Sequence, residues 1–126
     1  MEKTKTLTTD SLAFTGDAVY SLLVRERLSV CLSASSDKLH KKSIEFVSAS
    51  AQAKGYESVK DMLTDDETAV FKRGRNSNIS APRTASSPAE YRIATGLETL
   101  FGYLHLNGEK ERLNELFSCI YNHLNG

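Results

Sequence analysis

LAFTGDAVY, residues 12–20, sets a glycine and an acid, Gly16 and Asp17, inside an otherwise apolar run. A carboxylate in such a place needs a partner or a task, because burying an unpaired charge is costly or forces it to take up a proton. The comparable intrusion is Glu98, within ATGLETLFGYL at 94–104. The expectation is that Asp17 and Glu98 come together and hold a metal ion. The rest of the chain then supplies the helical frame that brings them there and offers basic groups to a polyanion.

Working outward from this stretch, the frame is read as all-α. Leu7 to Phe14 reads as a short first helix capped by Thr8 or Thr9, Thr15 and Gly16 as a bend, and Asp17 to Leu28 as a longer central helix carrying Val19, Leu22 and Leu23 on one side. Ser36 or Asp37 is the expected cap of a helix from about Lys38 to Ala53, with Leu39, Ile44, Phe46 and Val47 as core contacts and Gly55 as its interruption. A further turn covers Ser58 to Leu63. Thr64 and Glu67 have the spacing of a capping box, so a helix starts at Asp65, with Gly74 as its stop. Residues 76–88, NSNISAPRTASSP, read as a mobile polar loop, and Pro88 suits the first turn of the helix that follows. In that helix Ile93, Leu97, Leu100 and Leu104 recur as a core stripe. Asn107-Gly108 ends it, and a last helix carries Leu113, Leu116, Phe117 and Ile120. No stretch alternates with period two, and no internal repeat is visible. The fold expected is a single all-α domain over residues 1–126 with six to seven helices.

The 126-residue chain has 16 basic and 16 acidic residues and a net charge of zero, so no global field draws it to nucleic acid or membrane. Binding to a polyanion must rest on local clusters. Two exist: KLHKK at 38–42, and FKRGRN at 71–76, the latter followed by Arg83 and Arg92. The first also fits a solvated helix face, and part of the second fits the ordinary preference for cations at a helix C-terminus. The remainder reads as a phosphate-contact surface, giving Lys41, Lys42, Lys72, Arg73, Arg75 and Arg83 as candidates. No apolar run is long enough to span a bilayer, and MEKTKTLTTD carries no secretory h-region. Cys31 and Cys119 have no metal-type spacing and read as ordinary buried or half-buried thiols of a cytosolic protein.

Both acids have structural readings as well. Asp17 in the first turn of a helix would be favoured by the helix dipole, and Glu98 could pair with an arginine. Against this, Ala94 and Gly102 flank Glu98 on its own helix face, so a second helix can approach closely at that carboxylate. Carboxylates from two helices with open positions for water suit a hard cation such as Mg²⁺. His40, His105 and His123 form no ligand spacing, and no Ser-His-Asp set, P-loop or dinucleotide fingerprint is present.

With these residues in view, LAFTGDAVY resembles the signature segment of ribonuclease III nuclease domains, and LETLFGYL resembles their second segment. The ordered set LHKKS, VSA, QA, FKRGRN and YRIATGLETLFGYL resembles the Mini-ribonuclease III branch, the short bacterial form without a double-stranded-RNA-binding domain. The resemblance runs from about Leu12 to Leu116. It implies an all-helical homodimer in which Asp17 and Glu98 are catalytic and bind Mg²⁺, with Mn²⁺ able to substitute. It further implies a bacterial cytoplasmic enzyme that cuts duplex RNA, typically precursor large-subunit (23S) ribosomal RNA, leaving 5′-phosphate and 3′-hydroxyl ends. Neutral charge leaves room for an assisting protein, such as a ribosomal protein. The larger ribonuclease III enzymes carry two further acids where this chain has Ala13 and Thr95. That departure leaves the number of metal ions open, makes Asp10 and Thr95 candidate helpers, and favours the rival reading of a catalytically silent RNA-binding or dimerisation module. A helical adaptor without any nucleic-acid role is a third reading, opposed by the basic clusters.

Overall fold

The computed structural model describes residues 7–77 and 87–126. Among these residues the architecture is all-α, as the sequence predicts. Six helices run in the order α1 Thr9–Cys31, α2 Ser36–Val47, α3 Ala49–Glu57, α4 Asp65–Arg75, α5 Pro88–Leu106 and α6 Lys110–Asn125, with a short 3₁₀ turn at Lys60–Met62. Side-chain caps set most starts: Thr8, Ser35, Ser48, Thr64 and Ser87 each accept a hydrogen bond from a first-turn amide. The Thr64/Glu67 capping box forms as the spacing requires, and Pro88 occupies the first turn of α5.

The first helix departs from the reading above. Thr15 and Gly16 do not bend the chain, and α1 is one unbroken helix of 23 residues. Gly16 serves packing instead. A β-carbon built on it would overlap the carbonyl oxygen of Glu98, and one built on Gly102 would overlap the carbonyl oxygen of Leu12. The two helices therefore meet backbone to backbone, glycine against carbonyl in both directions, and α1–α5 is the largest interhelical contact. Two other boundaries shift for similar reasons. The 38–53 segment divides at Ser48, whose hydroxyl caps α3, and Gly55 and Gly74 lie inside helices, where they admit Ile120 and Thr99 respectively.

The core is built where α1, α5 and α6 meet. Tyr20, Val24, Leu28, Leu97, Leu100, Phe101, Leu116, Phe117 and Ile120 are buried in one cluster. Tyr20 packs against Phe101 and stands edge-on to Phe117, while its hydroxyl donates to the Phe46 carbonyl and so ties α1 to α2. Burial, then the nearby Glu98, push its phenol pKa up, so it stays a neutral donor. At the far side, Glu67 of α4 is buried and receives two hydrogen bonds from Arg112 of α6, which also donates to the Met62 carbonyl.

Not every residue assigned to the core reaches it. Leu22 is 56% exposed and Ile44 50%, and Phe14 and Val30 stand out at 83% and 86%. Cys31 is exposed rather than buried, and Cys119 is half-buried.

The backbone contact yields a stability test. Gly102→Ala or Gly16→Ala forces α1 and α5 apart against backbone atoms that cannot rotate away. Each substitution is expected to destabilise the protein by about 3 kcal/mol, as overpacking of a close helix contact does, read as a lowered urea midpoint by circular dichroism.

Candidate active site

At the glycine contact itself, Asp17, next to Gly16 on α1, and Glu98 of α5, whose carbonyl Gly16 faces, line one cleft and interact. Because α1 is continuous, Asp17 lies in the middle of a helix and not in a first turn. The helix-dipole explanation for its acid therefore falls away. The arginine explanation for Glu98 falls away too: among the described residues no ion pair reaches either carboxylate. Among the described residues the donor to Glu98 is neutral, Nε2 of Gln52, 3.1 Å from Oε2.

Asp17 and Glu98 line a cleft of about 340 Å³ together with Asp10, Ala13 and Phe14 of α1 and Tyr91 and Thr95 of α5. Asp10, Phe14 and Asp17 repeat along one face of α1, and Tyr91, Thr95 and Glu98 along one face of α5. Ala13 and Thr95, where the larger enzymes have acids, both border the cleft. The Thr95 hydroxyl donates to the Tyr91 carbonyl within its own helix, 3.0 Å away. Among the described residues no three His, Cys, Asp or Glu side chains gather into a metal-binding group, so a cation here would have two protein carboxylates at its centre.

Burial pushes the Glu98 carboxyl up to about 7. The Gln52 hydrogen bond opposes that shift, and the charge and hydrogen-bonding proximity of Asp17 add to it. Two acids this close without a basic partner need either a shared proton or a cation. That is the chemistry of a hard-metal donor pair, and these residues fit one.

The basic candidates are dispersed. Lys41 pairs with Asp37 at 3.2 Å and Lys42 with Glu45 at 3.1 Å, both along α2. At the end of α4, Lys72 is exposed and Arg73 donates to Thr9 Oγ1 at 3.1 Å, one residue from cleft-lining Asp10. Arg75 stacks over Phe71 and, with Arg92 of α5, lines a second cleft of about 450 Å³. Arg83 lies outside the described residues, as does most of the 76–88 segment expected to be mobile; Asn76 and Ser77 cap α4, and Ser87 caps α5.

Two contributors, Tyr91 and Gln52, escaped the sequence reading. Tyr91 sits seven residues before Glu98, a spacing that places it on the Glu98 face. Arg92, which the sequence groups with the FKRGRN cluster, stands with Arg75 on the second cleft. Gln52 stood in a recognised motif, but nothing in a lone glutamine says where its amide ends.

The sequence model of the ribonuclease III domain matches residues 10–109, and the chain belongs to that family. Its relatives narrow the membership to the Mini-ribonuclease 3 group. The chain is 42% identical over 115 residues to the Mini-ribonuclease 3 of Clostridium tetani, covering 88% of this chain and 74% of that one. It is 40% identical over 113 residues to the Mini-ribonuclease 3 of Enterococcus faecalis, covering 87% and 86%. A crystal structure of a Fusobacterium nucleatum protein superposes with a TM-score of 0.81 at 27% identity, covering 90% of this chain and 92% of that one. The chain is thus a ribonuclease III-type nuclease domain, and ribonuclease is its class of activity.

The raised Glu98 carboxyl makes a signed prediction. Folded Glu98 holds its proton more tightly than the unfolded chain does, so its contribution is full at acid pH and is lost as pH rises from about 4.5 to about 7. The loss is up to about 3 kcal/mol. Metal-free protein is expected to melt lower at about pH 8 than at about pH 5.5, and Glu98→Gln is expected to flatten that difference in a thermal scan. Glu67 works in the opposite sense. Arg112 lowers its pKa, so its contribution is lost only in acid, below this window.

Proposed function

We propose that the protein is a divalent-metal-dependent endoribonuclease that cuts double-stranded RNA as a homodimer, in the bacterial cytoplasm. The observation that carries this reading is the meeting of Asp17 and Glu98 in one open cleft, without a basic partner among the described residues. Asp17 and Glu98 would hold Mg²⁺, or Mn²⁺ in its place. Bound there, the cation supplies an activated water and neutralises charge on the scissile phosphodiester. A water oxygen bonds to phosphorus while the bond to the 3′ oxygen breaks, leaving a 5′-phosphate and a 3′-hydroxyl.

Lys72, Arg73 and Arg75 at the end of α4, with Arg83, would contact phosphates, and Lys41 and Lys42 offer a second set on α2. Contacts of this kind give affinity and register but little sequence preference, which suits a duplex read by shape. Arg92, beside Arg75, joins the first set. Precursor large-subunit (23S) ribosomal RNA is the substrate that the family resemblance favours, with a ribosomal protein as helper where shape alone gives too little affinity. The bacterial origin of the relatives supports the cellular setting.

The dimer reading rests on α1. Phe14 and Leu22 are large, apolar and exposed, with exposed Ala18 between them at helical spacing. Phe14 also borders the carboxylate cleft. A second copy seated on this face would cover it and set two clefts side by side, one for each RNA strand.

Two measurements test the proposal. With Mg²⁺ and a duplex RNA, wild type is expected to cut both strands. Asp17→Asn and Glu98→Gln are expected to lose at least about 10³-fold in rate, the scale of removing an essential charge-stabilising group, while still shifting the RNA in a gel. Binding without cutting by wild type would instead favour the silent RNA-binding module, to which the absent acids at Ala13 and Thr95 lend weight. Phe14→Asp is expected to convert a dimer to a monomer by light scattering, and a monomeric wild type would overturn the dimer reading.

A further inference from the structure

Gln52 of α3 is only 3% exposed, and its amide joins three elements. Nε2 donates to Glu98 Oε2 on α5 and to the carbonyl of Val47, the last residue of α2, both at 3.1 Å. The orientation of the amide is not in doubt, because a backbone carbonyl can only accept, so nitrogen must face Val47. The Val47 carbonyl is open to this donor for a local reason. The Ala51 amide, its expected helical partner, bonds instead to the Ser48 hydroxyl that starts α3. The break between α2 and α3 thus aims Gln52 at the acid of another helix.

Gln52 Oε1 is buried and has no partner among the described residues. A buried acceptor without a partner is uncommon in folded proteins, and here both hydrogen bonds of the amide are made by its nitrogen. The demand here is on nitrogen. A carboxylate that must bind a cation needs its geometry fixed, yet a lysine or arginine donor would fix it by cancelling the charge the cation requires. An amide donates without carrying charge.

We propose that Gln52 is a positioning residue for the candidate metal site, a neutral donor that fixes the Glu98 carboxylate for a divalent cation without neutralising it. This rests on the reading of Asp17 and Glu98 as metal ligands. Outer groups that orient ligands commonly change metal affinity by about 10–100-fold, which sets the size of the expected effect.

The test is a titration with Mn²⁺ alone at about pH 8, following free Mn²⁺ by electron paramagnetic resonance, with a thermal melt of each metal-free protein. Gln52→Met removes the donor and keeps the side-chain length. It is expected to raise half-saturating Mn²⁺ by about 10–100-fold. Gln52→Lys keeps a donor but adds a charge. It is expected to melt as high as wild type, or higher, and yet bind Mn²⁺ at least about 100-fold more weakly. Thr64→Ala removes the cap of α4 and touches neither Gln52 nor Glu98; it is expected to lower the melt and to leave Mn²⁺ affinity near wild type. A purely structural Gln52 would move melt and Mn²⁺ affinity together. The inference is overturned if the Lys variant binds Mn²⁺ like wild type, if Thr64→Ala weakens Mn²⁺ as much as Gln52→Met does, or if both Gln52 variants fail to fold. If wild type binds Mn²⁺ no better than Asp17→Asn, the metal-site reading fails and the inference falls with it. If wild type binds and Asp17→Asn does not, while the Gln52 variants match wild type, the inference alone falls.

Discussion

Two bare α-carbons resting on two backbone carbonyls hold this molecule's candidate site together. Gly16 faces the Glu98 carbonyl and Gly102 faces the Leu12 carbonyl. Side chains normally keep helix axes about 8–10 Å apart. Removing them at the crossing lets α1 and α5 approach until residues on adjacent turns share one cleft. Asp17 follows Gly16 in the chain, and Glu98 lies one turn before Gly102 on its own helix, so the contact that packs the helices is also the one that pairs the acids. The same device recurs where α4 meets α5 and Gly74 and Gly96 admit Thr99 and Phe71. That second contact places the cations at the end of α4 next to the start of α5, where Arg92 stands.

This tight packing sets a cost against a capability. Burial of the Glu98 carboxyl, with Asp17 beside it, raises its affinity for protons and removes stability from the metal-free protein near neutrality. The same electrostatic strain makes the pair a cation site, because a divalent ion relieves what a proton otherwise must. The surroundings leave that strain in place: among the described residues, the amide of Gln52 that donates to Glu98 carries no charge. Charged compensation is used elsewhere in the fold, at Glu67 and Arg112, where an ion pair ties α4 to α6. Glu67 is paired with Arg112, whereas among the described residues no ion pair reaches Asp17 or Glu98.

Much of this was legible in the residues. Periodicity located the last two helices, Pro88 marked the start of α5, and the Thr64/Glu67 box located α4. The two acids stood out because each interrupts an apolar run, and the family resemblance joined them. The misreadings share one physical cause: local signals stand for more than one tertiary role. Gly16, Gly55 and Gly74 read locally as breaks, yet each sits within a helix and makes room for a neighbour. Leu22 and Ile44 read as core by composition, but an apolar face points to the interior or to a partner with the same pattern. Gln52 was the least legible, since its role depends on a capping switch at Ser48 and on a helix more than forty residues away in sequence.

The central claim is that Asp17 and Glu98 share one divalent cation. The most direct measurement is an anomalous difference map from a crystal of the wild-type protein soaked in Mn²⁺. The account predicts a single dominant peak in each protomer within coordination reach of both carboxylates, absent from an Asp17→Asn crystal treated alike. A cleft with no peak, or one in which an arginine side chain has closed over Glu98, would contradict it.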